Sequence, residues 1–263
     1  MTYQPIIPLQ GFAGWKFLER TIETQQQAFN ESFQVQRVTE SFREKIGQIT
    51  TAEELVNDRE LLQVALGAFG LEADIDNKYF IQKVLEDGTL DDDALANRLS
   101  DKSYLAMSQA FGFGDFPIPN TALSTFADDI IERYETKSFE VAVGEVNDDM
   151  RLALNFNNSL SDVVESNSGQ DAQWFAILGS PPLRAVFEAA LGLPPSIGVI
   201  DIDQQLDAFK QSARSNFGTD DVSELANPDD EDKMIRLFLL RSQVDTFSGL
   251  SSGSVALTLL NQI

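Results

Sequence analysis

The sequence predicts an all-α, multi-helical protein, and three observations carry that reading. Apolar residues recur at helical spacing along most of the 263 residues. Capping signals and helix-ending glycines bracket many of those runs. Strand signals are scarce, with no alternating Val/Ile/Thr run and no Asn-Gly or Asp-Gly hairpin between apolar strands.

Taken in order, residues 1–11 carry Pro5, Pro8 and Gly11 and read as extended or loosely ordered. From Gly14 to Ile46 one long amphipathic helix or two consecutive ones follow. Trp15, Leu18, Ile22 and Phe29 make one stripe, and Val35, Val38, Phe42 and Ile46 a slightly rotated second. Thr51 and Glu54 form a capping-box signature that opens a helix carrying Leu55, Leu62, Leu66 and Phe69 to Gly70. "DNKYFIQKVLEDG" is a second capped helix, with Phe80, Ile81, Val84 and Leu85 inward and Gly88 as terminator. A short helix and a longer one ending at Gly112 come next, then a break at "FPIPN". Residues 121–137 and 139–156 read as two helices, and the polar stretch 157–170 as a loop between blocks. Beyond it, "WFAILG" leads into "SPPLRAVFEAALGLP", where Ser180 caps and two prolines take the first turn. "IDIDQQLDAFKQSARSNFG", "DDVSELANP" and "DDEDKMIRLFLLRSQVDTF" complete the helices. The expected division is an N-terminal segment and amphipathic helix (1–47), two related helical blocks (48–156 and 171–245) and an apolar C-terminal segment (246–263).

Four letters recur. "AFGL" at 68–71, "AFGF" at 110–113 and "ALGL" at 190–193 each place Gly between apolar residues at a helix end. Gly70, Gly112 and Gly192 are therefore read as structural helix C-caps, because glycine takes the left-handed conformation cheaply. The first and third copies extend further. At an offset of 122, Leu61 meets Leu183, Val64 meets Val186, Ile75 meets Ile197 and Val84 meets Leu206. That longer match reads as one helical unit used twice.

Charge and composition narrow the function. Lys and Arg number 19 against 42 acids, a net charge of −23, which opposes nucleic acid and anionic membrane surfaces as partners. Cys and His are absent, so disulfides, thiolate metal sites, Cys nucleophiles and His-based triads are excluded. No basic region followed by an apolar core marks a Sec signal peptide, and "VALTLLNQI" is too short to span a bilayer. The acidic clusters at 91–93, 147–149, 201–203 and 229–232 lack the spacing of a calcium loop and sit where helices begin, where negative charge favours the helix dipole. No residue is assigned a catalytic, cofactor or metal role. After Asp245 no side chain is charged, which suits a tail tucked into the core or an apolar docking segment, and in the second case Leu250, Val255, Leu257, Leu260 and Ile263 are the candidates for docking a partner.

The blocks "TTAEELVNDRELLQVALGAFGLEADIDNKYFIQKVLEDGTLDDDALANRLSDKSYLAMSQAFGFG" and "WFAILGSPPLRAVFEAALGLPPSIGVIDIDQQLDAF", with the joining "RYETKSFEVAVGEVNDDMRLAL", resemble one family in order and spacing. They are similar to the alphaproteobacterial domain-of-unknown-function family 1217 over roughly residues 40–245. The resemblance brings no activity and no catalytic residue. It implies a place in flagellar structure, assembly or export, since genes of the family often lie among flagellar genes. The expectation is a non-enzymatic protein of the cytoplasm or the bacterial flagellum that acts by protein–protein contacts. Its expected partners are other flagellar or export proteins, or further copies through terminal helices. A cytoplasmic chaperone or regulator of an export substrate is the alternative, and a carboxylate-based enzyme ranks third.

Overall fold

The computed structural model describes residues 3–252, with side chains described to Val244. Those residues are 76% helical, in fourteen α-helices and four short 3-10 segments, and no strand occurs among them. They fall into two compact units. Of the described residues, the first unit takes those up to Ile6 together with Arg20–Val146; the second takes Ile7–Glu19 and everything from Asn147.

The helix α1 (Gly11–Asn30) contributes its beginning to the second unit and its end to the first. The remainder of the first unit is α2 (Phe33–Lys45), α3 (Ala52–Asn57), α4 (Arg59–Gly67), α5 (Lys78–Asp87), α6 (Leu95–Arg98), α7 (Ser103–Phe111) and α8 (Phe126–Val146). Thr51 accepts from the Glu54 amide at 3.2 Å and the Glu54 carboxylate accepts from the Thr51 amide at 3.2 Å, so the capping box is complete. The run from Thr51 to Gly70 is nonetheless two helices. Asp58 adopts extended geometry and caps α4 by accepting from the Glu60 and Leu61 amides, which turns the chain between α3 and α4.

The second unit holds α9 (Asp148–Ser166), α10 (Gln170–Gly179), α11 (Pro181–Leu191), α12 (Ile202–Phe217), α13 (Val222–Leu225) and α14 (Pro228–Ser252). Two sequence readings need correction here. The break between α8 and α9 lies at Asn147, not at residue 138, because Asn147 is extended and its side chain caps the Met150 amide at 3.1 Å. The polar stretch 157–170 is helical through Ser166, since Leu160 on the opposite face of α9 is fully buried and holds it in place. Ser180 occupies the N-cap position of α11 without a side-chain capping bond, and prolines fill the first turn.

The two units repeat one plan. In the first, α4 packs against α2, α3 and α8; in the second, α11 packs against α9, α10 and α14. The helices α4 and α11 begin at Arg59 and Pro181, keeping the offset of 122, and each is followed by a glycine-ended turn and a short 3-10 segment (Glu72–Asp74 and Pro195–Val199). Their endings share hydrogen bonding. Leu71 N–H reaches Leu66 C=O at 3.0 Å and Gly70 N–H reaches Gly67 C=O at 3.3 Å; Leu193 N–H reaches Glu188 C=O at 2.9 Å and Gly192 N–H reaches Ala189 C=O at 3.0 Å. This paired pattern is the Schellman motif. Gly112 ends α7 with a single bond to Ser108 C=O at 2.9 Å, the simpler left-handed cap.

Each unit is filled by phenylalanine. Phe111 lies 5.0 Å from Phe126 and 6.5 Å from Phe69, and Phe139 lies 5.7 Å from Phe29. In the second unit Trp174 meets Phe187 at 5.4 Å and Phe209 at 6.2 Å, edge to face. Such pairs add about 0.5–1.5 kcal/mol each beyond the area they bury. The Trp174 ring nitrogen donates to the Asp220 carbonyl at 2.9 Å, so this fully buried ring has its polar atom satisfied.

Candidate interaction surfaces

The acidic clusters are engaged at helix starts. Asp201 accepts from the Asp203 amide at 2.9 Å, and Asn227 accepts from the Asp229 and Asp230 amides at 3.1 Å ahead of α14. Asp91 accepts from the Asp93 amide at 2.9 Å in the turn before α6. Among the described residues no group of three or more His, Cys, Asp or Glu side chains is placed to hold a metal ion.

Several polar residues sit inside the core, and sequence reading passed over them. Gln173 and Gln205 are buried; Gln205 accepts from Arg184 at 2.7 Å and donates to the Ile200 carbonyl at 2.7 Å. Gln25 is buried among helices of the first unit and bonds the main chain of Ile6. Nothing in "ETQQQ" distinguishes Gln25 from its neighbours except its place on the Leu18–Phe29 face. The Tyr104 hydroxyl donates to Asp74 at 2.5 Å, and Tyr104 stacks edge-on against Phe80 at 5.3 Å. Burial and that carboxylate push the Tyr104 pKa upward, so the pair is a fixed hydrogen bond that joins α7 to the turn before α5.

Three groups stand out among the exposed apolar side chains of the described residues. On α14 the buried face is Met234, Ile235, Phe238 and Leu239, while Leu240 and Val244 stand outward one turn apart, Val244 being 61% exposed. That outward line runs toward the uncharged sequence from residue 246. Of the docking candidates, the Leu250 backbone is helical within α14, while Val255, Leu257, Leu260 and Ile263 lie outside the described residues, as does the Leu250 side chain. A second group is Leu90, Phe116 and Ile118. Here the Asp115 carboxylate accepts from the Thr89 amide at 2.6 Å and the Thr89 hydroxyl at 2.8 Å, tying two loops together. Gly114 makes that approach possible, because a Cβ there would stand 2.4 Å from the Gly88 nitrogen. Third are Val199, Ile200 and Ile202 at the start of α12.

No described helix is long and apolar enough to cross a membrane. A profile of DUF1217, a protein family of unknown function, matches residues 68–230, more than half of the chain. The chain belongs to the DUF1217 family. The match begins at the "AFGL" ending of α4 and runs through both Schellman glycines to the first turn of α14. The X-ray crystal structure of a protein from Agrobacterium tumefaciens has the same fold, with a TM-score of 0.74 and 24% identity over 92% of this chain and 99% of that one. No curated protein matches the chain. DUF1217 thus brings a helical architecture and no assigned function.

Proposed function

We propose that this DUF1217 protein is a non-enzymatic component of the bacterial flagellum or its assembly and export apparatus, acting by protein–protein contacts. The observation that carries the contact reading is the outward pair Leu240 and Val244 on α14, directed toward a sequence with no charge after Asp245. An apolar line on a helix whose other face is already buried is a surface for a second molecule. Support for the flagellar setting is the family resemblance alone. Under this reading the segment 246–263, with Leu250, Val255, Leu257, Leu260 and Ile263, extends the docking line.

The test is capture from flagellated cells with full-length protein and with a variant lacking residues 247–263, alongside localisation by cell fractionation. Flagellar or export components co-purifying with the full chain, and lost on deletion while the helical spectrum is kept, is the expected result. Unchanged capture after deletion refutes the role of the segment, and capture of no flagellar component refutes the setting. The second reading, a chaperone or regulator that docks its client on the helical core, is favoured by the Leu90, Phe116 and Ile118 group. Capture that survives the deletion and is lost in Phe116→Asp supports it.

A further inference from the structure

A buried primary amide must place two donors and an acceptor, and the way Gln25 does so is informative. Gln25 is 6% exposed. Its Oε1 accepts from the Ile6 amide at 2.7 Å, and its Nε2 donates to the Ile6 carbonyl at 3.1 Å and to Thr21 Oγ1 at 2.8 Å. One helix side chain therefore satisfies both main-chain groups of one residue, as a neighbouring strand would. The segment it holds has strand-like alternation. Pro5 is buried and the Tyr3 ring meets Phe29 edge-on at 6.2 Å, while Gln4 and Ile6 face outward. Beside Tyr3 a cavity of about 170 Å³ continues along Phe29, Val35, Ser138, Val141 and Ala142.

Main-chain bonds that hold and alternate side chains that select are how extended peptides are recognised. We infer that this face of the first unit is a binding groove for an extended aromatic-x-Pro segment, filled here by Tyr3–Ile6, and that a second copy of this chain can supply that segment by exchange. Every copy carries the one segment the groove is seen to hold, so complementarity comes with identity. The strap is four residues, held by two main-chain bonds, a long bond of 3.5 Å from the Tyr3 hydroxyl to Gln25 Oε1, one ring edge and one proline. So few contacts open at low free energy, and swapping identical elements needs no new interface chemistry.

The chain has no cysteine, so single thiols report exchange directly. Full-length Gln4→Cys, an exposed strap position that keeps Tyr3 and Pro5, and Ser138→Cys on the wall of the cavity beside Tyr3 are mixed with a short bis-maleimide. Exchange predicts a crosslinked heterodimer several-fold above a control that pairs Gln4→Cys with Gln211→Cys, an exposed position on α12. Adding Gln25→Leu to the groove-bearing chain, or Pro5→Gly to the donor chain, lowers the yield toward that control. A free peptide of residues 1–9 competes. Heterodimer no higher than the control overturns the inference, whether or not a Gln4→Cys/Ser138→Cys double variant closes within one chain. The readout involves this chain alone, so it is independent of flagellar capture.

Discussion

Replacing the three helix-ending glycines by alanine separates backbone strain from crowding. Gly70 has φ +72° and open space where a Cβ would go. An L-residue there costs about 1–2 kcal/mol for the left-handed conformation. The reduced freedom of the unfolded chain offsets about 0.4–1 kcal/mol of that. Gly70→Ala should therefore destabilise by about 1 kcal/mol, and Gly70→Asn by less, because asparagine tolerates the conformation. At Gly192 the same strain is joined by Arg241, whose guanidinium stands 3.1–3.3 Å from the new Cβ and can shift, giving about 1–2 kcal/mol. At Gly112 the new Cβ would meet the Phe116 ring at 2.8 Å and Asn120 Nδ2 at 3.2 Å. That nitrogen donates to the Ala110 carbonyl at 2.9 Å, so displacing it also weakens the α7 end, for a total of about 2–3 kcal/mol. The assay is urea unfolding followed by circular dichroism and by tryptophan fluorescence. Both tryptophans, Trp15 and Trp174, lie in the second unit, so fluorescence reports Gly192→Ala selectively. A loss of 1 kcal/mol moves the midpoint by about 0.5 M. Equal losses at all three positions, or a Gly70→Ala as stable as the parent, would contradict this account of the caps.

Three further outcomes are expected. Thr51→Ala removes one half of the capping box and should cost about 1 kcal/mol by urea unfolding, with no change in helix content. Arg241→Met strips a cation from the Ala189 and Ala190 carbonyls at the end of α11. It should lower the fluorescence-detected stability of the second unit by about 1–2 kcal/mol. Burial raises the Glu135 pKa above the ordinary carboxylate range, so the folded chain binds that proton more readily than the unfolded chain. Its contribution to stability accordingly falls as pH rises through that window. Glu135→Gln, which can still accept from Asn30, should stabilise the protein at pH 7–8 and make no difference near pH 4. A Glu135→Gln offset that does not vary with pH would count against the assignment.

Much of the fold was legible because helices declare themselves locally. The capping box at Thr51 and the prolines opening α11 are interactions between residues a turn apart. The match of Leu61 and Val64 with Leu183 and Val186 is legible for the same reason: all four are buried, and core positions keep the period of the helix they lie on. The misreadings are where local composition misleads. "NNSLSD" looks like a loop, but one buried residue per turn, Phe156 then Leu160, is enough to keep α9 helical. Asp58 looks like another polar helix residue, but its carboxylate can cap the helix after it as well as ride within the one before.

Composition and local pattern were enough for the fold class, the helix-ending glycines, the chemistries that an absence of Cys and His forbids, and the uncharged stretch from residue 246. Which side chains face out came from packing. Exposed Leu240 follows buried Leu239 directly, and buried Gln25 lies two places from exposed Gln27 in a run of three glutamines. Packing also brought Ile6, 19 residues from Gln25 in the chain, under that amide. A hydrogen bond or a buried face depends on which distant element packs there, and periodicity records only that a helix has an inner face, not what lies against it.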